Sequence, residues 1–137
     1  MRRRLLALAA AAAGAVPALA ASAKRSRVVV QVSEADPARW NLALNNVRNL
    51  QEDLGAANVE IELVAYGPGI GMLKLEAVTN SRVSEAVKAG VLVSACENTM
   101  RNQKVVRADM HPDMAYVPAG VVEIVRRQQE GWAYLRP

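Results

Sequence analysis

The run Arg27-Val28-Val29-Val30-Gln31-Val32 constrains this chain more than any other stretch, because its valines leave no polar face. A strand with one face in water alternates polar and apolar residues. A continuous β-branched run belongs to a strand covered on both faces, as in a parallel sheet, and is expected to be the central strand. Ser33-Glu34-Ala35 then turn the chain, Asp36 is an N-cap and Pro37 stands at the first helical position. The helix should run to Leu54, with Gly55 closing it. Trp40, Leu44, Val47, Leu50 and Leu54 recur at helical spacing and form its buried stripe, with Asn45, Asn46 and Asn49 between them. Val59 to Tyr66 reads as a second strand, completing a strand-helix-strand unit.

The pattern repeats. Gly67-Pro68-Gly69-Ile70-Gly71 reads as a tight loop beyond the second strand, and its spacing fits neither the dinucleotide fingerprint nor the P-loop. Met72 to Val78 has mixed character, a short helix or an irregular crossing. Asn80 or Ser81 caps a helix through Ala89, stopped by Gly90. Val91 to Ala95 is a strand that delivers Cys96 to its carboxyl end, and Asn98 and Thr99 open the next helix. Arg107 to Asp113 reads as loop, Met114 to Val117 as a brief strand, and Val121 to Glu130 as the last helix, entered through Pro118 and Gly120. Trp132 to Leu135 adds a fifth strand or packs as a tail. Strands alternating with helices give an α/β fold with a mostly parallel sheet.

Residues 1–23 read as a signal peptide: Arg2-Arg3-Arg4 is the basic start, Leu5 to Val16 the apolar core, and Ala18-Leu19-Ala20 or Ala21-Ser22-Ala23 the cleavage frame. The apolar core falls short of the roughly 20 residues that span a bilayer. The domain proper is residues 24–137, exported to the periplasm or secreted, with no membrane attachment after cleavage. Both the general and the twin-arginine export routes fit the leader. The leader takes Arg2, Arg3 and Arg4 from the 17 Lys and Arg residues and none of the 13 Asp and Glu, so the mature domain is nearly neutral. It carries no basic stripe interleaved with aromatics, which argues against nucleic acid as a partner.

One cysteine in an exported chain excludes an internal disulfide. Cys96 lies where open α/β sheets bind ligands, at a strand end that feeds a helix N-terminus, and such a terminus favours a thiolate. It is therefore a candidate nucleophile, although a free cysteine is also a common space-filler. The single histidine, His111, excludes a multi-histidine zinc site, and Ser94 has no evident base partner, so hydrolysis is not expected. Met110 and Met114 around His111, with Cys96 and Met100, are soft ligands suited to Cu(I), a minor option beside gap-filling methionines. No metal or cofactor is expected.

Trp40-Asn41-Leu42-Ala43-Leu44-Asn45-Asn46, Gly67-Pro68-Gly69, Ala95-Cys96-Glu97-Asn98-Thr99-Met100 and Gln128-Gln129-Glu130-Gly131-Trp132-Ala133-Tyr134 together resemble the DsrE/DsrF-like sulfur-relay family, in an exported single-cysteine branch. The resemblance runs from Arg27 to Pro137. It implies a three-layer α/β/α sandwich with about five strands, assembly into homo- or hetero-oligomers, and a cysteine, Cys96 here, that carries sulfane sulfur as a persulfide. A lone thiol suits that chemistry better than disulfide exchange. Asn98, Thr99, Arg101 and the glycines Gly67, Gly69 and Gly71 are the expected groups around the bound sulfur, and a small sulfur compound or a sulfur-carrier protein is the expected partner. The asparagine-rich helix and the Trp132-Ala133-Tyr134 tail suggest a homo-oligomer. The alternative is a non-catalytic binding or assembly protein in which Cys96 is structural.

Overall fold

The valine run forms strand β1 (Ser26–Val32), and its side chains divide between two separate cores. Val28, Val30 and Val32 join the larger cluster on one face, and Val29 joins Val64, Ile124 and Trp132 on the other. The computed structural model describes residues 25–137, so the proposed leader and its cleavage site lie outside the described residues. Five parallel strands are arranged in the order β4-β3-β2-β1-β5, with β2 at Val59–Ala65, β3 at Leu92–Cys96, β4 at Ala115–Val117 and β5 at Ala133–Leu135. The central strand is β2, not β1. The tail adds to the free side of β1, with Val28 opposite Ala133, while the three crossovers after β1 build the sheet in the other direction.

Helices cover both faces, giving the α/β/α layering. Helix α1 (Pro37–Leu54) starts where Asp36 accepts the Ala38 N–H at 2.9 Å and ends at Gly55, whose φ of 89° is a conformation glycine adopts without strain. It buries Trp40, Ala43, Leu44 and Val47, whereas Leu54 in its last turn is exposed. Helix α2 (Asn80–Lys88) packs beside α1. Its N-cap is Thr79 rather than Asn80 or Ser81, and the Thr79 hydroxyl donates to Met72 O at 3.0 Å instead of capping the helix. The glycine-rich stretch is a 3-10 helix, Gly67–Leu73, not a loop, and it buries Ile70, Met72 and Leu73 beneath α1 and α2. A second short 3-10 turn, Arg107–Asp109, lies within the expected loop, and Leu75 N–H donates to Asp109 O at 2.9 Å.

Helix α3 (Glu97–Asn102) follows β3 without a linker. Helix α4 (Gly120–Gln129) lies on the opposite face from α1 and buries Gly120, Glu123 and Ile124. Trp132, expected between subunits, is buried in its own chain, and the guanidinium carbons of Arg27 and Arg127 lie 5.8 and 4.5 Å from its ring centre. Asn45 likewise accepts from Arg82 within the chain, at 2.8 Å. No helix among the described residues is long and apolar enough to cross a membrane.

Candidate functional site around Cys96

Along β3 the side chains alternate, so Val93 and Ala95 enter the α1 core while Ser94 and Cys96 face α4. Cys96 is also the N-cap of α3, with extended backbone at φ −76° and ψ 114°. Its sulfur thus stands where an N-cap oxygen would, facing N–H groups that lack helical partners. Thr99 N–H donates to Sγ at 3.5 Å, and Gly120 N–H, from the first residue of α4, donates at 3.3 Å. Two helix starts therefore meet on one sulfur atom. Burial pushes the thiol pKa up, but the Thr99 hydroxyl and the N–H groups of Gly120, Thr99 and Asn98 outweigh it and leave the thiol below its ordinary value.

The Thr99 hydroxyl oxygen accepts the Gly67 N–H at 2.8 Å, which holds the hydroxyl in place and leaves its proton free to donate. Gly67 thereby reaches the site through Thr99 rather than by touching sulfur. Gly120 must be glycine for lack of space, since a Cβ there would lie 2.8 Å from Tyr66 Cβ and 3.2 Å from its ring. Glu97, next to the thiol in sequence, is paired with Arg107 at 3.5 Å, and Arg107 stacks on Tyr116 at 4.0 Å. This offsets part of the negative charge that would oppose a thiolate.

The other expected site residues are placed differently. Asn98 contributes its backbone and donates to Pro118 O at 3.2 Å, while its side chain accepts from exposed Arg101 at the surface. Gly69 N–H donates to Tyr66 O at 3.1 Å and the residue packs on the end of β1. A Cβ on Gly71 would lie 3.1 Å from the Trp40 ring. The soft metal set is not brought together: Met100 and Met110 pack in the core on the α1 face, away from the α4 face where Cys96 lies. His111 Nδ1 accepts the Asp113 N–H at 3.1 Å, so Nε2 carries the proton and donates to Ser84 Oγ at 2.6 Å. That histidine is therefore no base for Ser84.

Ser94 does have a carboxylate partner, which the sequence reading missed. Its hydroxyl donates to Glu62 Oε2 at 2.7 Å, and Arg127 Nε donates to Glu62 Oε1 at 2.7 Å. Arg127 also pairs with Glu123 at 3.2 Å and Glu130 at 3.3 Å. Burial raises the Glu62 pKa against the opposing pull of Arg127 and Ser94, with nearby Glu123 adding to the rise. At Arg127 burial works downward, yet Glu62 and Glu123 win and its pKa rises. The two partners respond differently because Glu62 is 1% exposed whereas the Arg127 side chain is 23% exposed and keeps some water.

A raised carboxyl pKa means that the folded state holds its proton better than the unfolded chain. The resulting stability is complete below about 4.5 and is lost as pH rises through the folded-state value. Relative to Glu62→Gln, wild-type stability should fall as pH rises through this window. Denaturant midpoints between pH 4 and 8 measure it, and parallel curves would contradict the burial of Glu62.

No family model matches the chain, and no curated protein does. Among solved structures, MTH1491 of Methanobacterium thermoautotrophicum, described as a protein of unknown function, is 43% identical, with a TM-score of 0.78 over 82% of this chain and 99% of that one. BT1422 of Bacteroides thetaiotaomicron, also of unknown function, is 11% identical with a TM-score of 0.68, over 82% of this chain and 95% of that one. YchN of E. coli is 13% identical with a TM-score of 0.67, over 82% of this chain and 99% of that one. At such identities the last two speak to the fold alone.

Proposed function

The chain belongs to the family of MTH1491 and has a YchN-like fold, and we propose that it is an exported sulfur carrier whose Cys96 holds sulfane sulfur as a persulfide. The observation that carries this reading is the convergence of the Thr99 and Gly120 N–H groups on Cys96 Sγ. A space-filling thiol needs no such donors, whereas a thiolate or a persulfide anion does. The resemblance to DsrE/DsrF-like proteins supports the same chemistry. In the loading step the Cys96 thiolate attacks a sulfane sulfur of a polysulfide, one S–S bond forms as another breaks, and a polysulfide shorter by one sulfur leaves. In the unloading step an acceptor thiolate takes the outer sulfur, and Cys96 departs as a thiolate. Both steps move zero-valent sulfur and need no outside oxidant.

Export follows from the leader at residues 1–23 and belongs to the same proposal, as does assembly into a homo-oligomer. Val121, Val122 and Val125 are exposed on α4, next to the helix start that meets Cys96. Sedimentation of residues 24–137 at micromolar concentration should give a species larger than a monomer. A clean monomer would contradict the assembly.

One observation favours the alternative, a binding or assembly protein with a structural cysteine: Cys96 is only 4% exposed. Alkylation of the native protein by iodoacetamide separates the two readings. The carrier should react while folded, with a rate whose pH midpoint falls below the value of about 8.5 for a free cysteine. Reaction only after unfolding would establish the structural thiol instead.

A further inference from the structure

The buried charges beneath α4 are poorly accounted for by stability alone, since replacing a buried ion pair by apolar side chains of similar size is often neutral or stabilising. Their position suggests another use. Gly120, Glu123, Ile124 and Arg127 share one face of α4 at helical spacing, so the residue that donates to Cys96 and the residue that grips Glu62 lie two turns apart on one rigid rod. The apolar hold on this helix is thin: Ile124 packs with Val29, Val64 and Trp132, with Tyr66 at the margin. Such a contact permits sliding and rotation, which a paired guanidinium and carboxylate do not. At its start α4 is held by its entry segment, where Asn98 N–H donates to Pro118 O and Val117 pairs with Cys96, and by the close fit of Gly120 on Tyr66, so its far end is what remains to be fixed.

We propose that Glu62 and Arg127 are positioning residues for the thiol, fixing the direction of α4 so that the Gly120 N–H stays on Cys96 Sγ. Glu62 is itself fixed by Ser94, which lies on β3 two residues before the cysteine. Ser94, Glu62, Arg127 and the α4 backbone thus form a closed circuit from the middle of β3 back to the sulfur at its end. The inference rests on the reading of Cys96 as a working thiolate, but its test uses no sulfur donor.

The thiol is titrated by thiolate absorbance in the wild type, Glu62→Gln, Arg127→Met and Arg127→Lys, with Arg82→Ala as a control. Arg82 binds Asn41 and Asn45 on the other face of the sheet. Glu97 and its partner Arg107 stay unchanged in every variant. Loss of one donor to a charged acceptor should raise the thiol pKa by about one unit, leaving about tenfold less thiolate at a fixed pH below it. Positioning predicts a rise in both Glu62→Gln and Arg127→Met, a smaller rise in Arg127→Lys and none in Arg82→Ala. Long-range charge alone would lower the pKa in Glu62→Gln and raise it in Arg127→Met. Opposite signs, or folded variants with the wild-type pKa, would overturn the proposal. Should Glu62→Gln and Arg127→Met fail to fold, Ser94→Ala decides, since it loosens Glu62 without removing a charge: a smaller rise supports the circuit and an unchanged pKa overturns it. A lowered wild-type thiol pKa without persulfide formation would sink the carrier reading and leave this inference standing.

Discussion

Gly69→Ala is expected to lower the unfolding free energy by about 3 kcal/mol or more, the upper end for overpacking a closed site. A Cβ at this position would lie 2.2 Å from Val32 O, 2.6 Å from Val32 C and 2.9 Å from Ser33 Cα. All three are backbone atoms at the end of β1, so no rotamer change can clear them. Nor can β1 move away freely, because Val32 O accepts the Tyr66 N–H at 3.1 Å and Tyr66 O accepts the Gly69 N–H at 3.1 Å. Gly71→Ala is the contrast: its Cβ would meet the Trp40 ring at 3.1 and 3.2 Å, a side chain that can give by a few tenths of an ångström. It should cost less than about 1.5 kcal/mol. Urea unfolding of both variants measures the difference. A Gly69→Ala protein within 0.5 kcal/mol of wild type would contradict this packing.

The largest effect on the site itself should come from Gly120→Ala. The new methyl would sit against Tyr66 Cβ and ring, and the first turn of α4 has to lift for it to fit. Lifting that turn stretches the 3.3 Å contact from Gly120 N–H to Cys96 Sγ. A hydrogen bond to a charged group is worth about 1.5–3 kcal/mol, so the thiol pKa should rise by about one to two units while stability falls by about 1–3 kcal/mol. The pH dependence of thiolate absorbance and a denaturant titration read the two consequences separately. A folded Gly120→Ala protein with the wild-type thiol pKa would remove Gly120 from the site.

The contrast between Cys96 and its donors shows what local pattern reveals. A short apolar run between Gly90 and Asn98 announces both the strand and the cysteine at its end, and Thr99 follows at the N3 spacing of a helix cap. Gly120 lies 24 residues further on, and nothing in Pro118-Ala119-Gly120 distinguishes a helix start from a helix start that touches sulfur. Glu62 is harder still. In Val59-Glu60-Ile61-Glu62-Leu63 both glutamates read as the wet face of an alternating strand, but β2 is central and α4 covers Glu62. Its arginine is 65 residues away. The valine run shows β1 to be buried on both faces but not its rank in the sheet: the expected central place falls to β2, because two strands, β3 and β4, add beyond β2 and only the three-residue β5 adds beyond β1. The aromatic tail suggests packing between subunits as readily as on its own sheet, and Trp132 closes the smaller core of its own chain because Ala133–Leu135 docks on β1.

The most direct test of the account is the mass of the folded protein, residues 24–137, before and after exposure to polysulfide near neutral pH. The account predicts the addition of one sulfur atom to Cys96, reversal by a reductant, and no addition in Cys96→Ser. Folded wild-type protein that stays unmodified while the unfolded chain reacts would contradict it and leave Cys96 as a buried structural thiol.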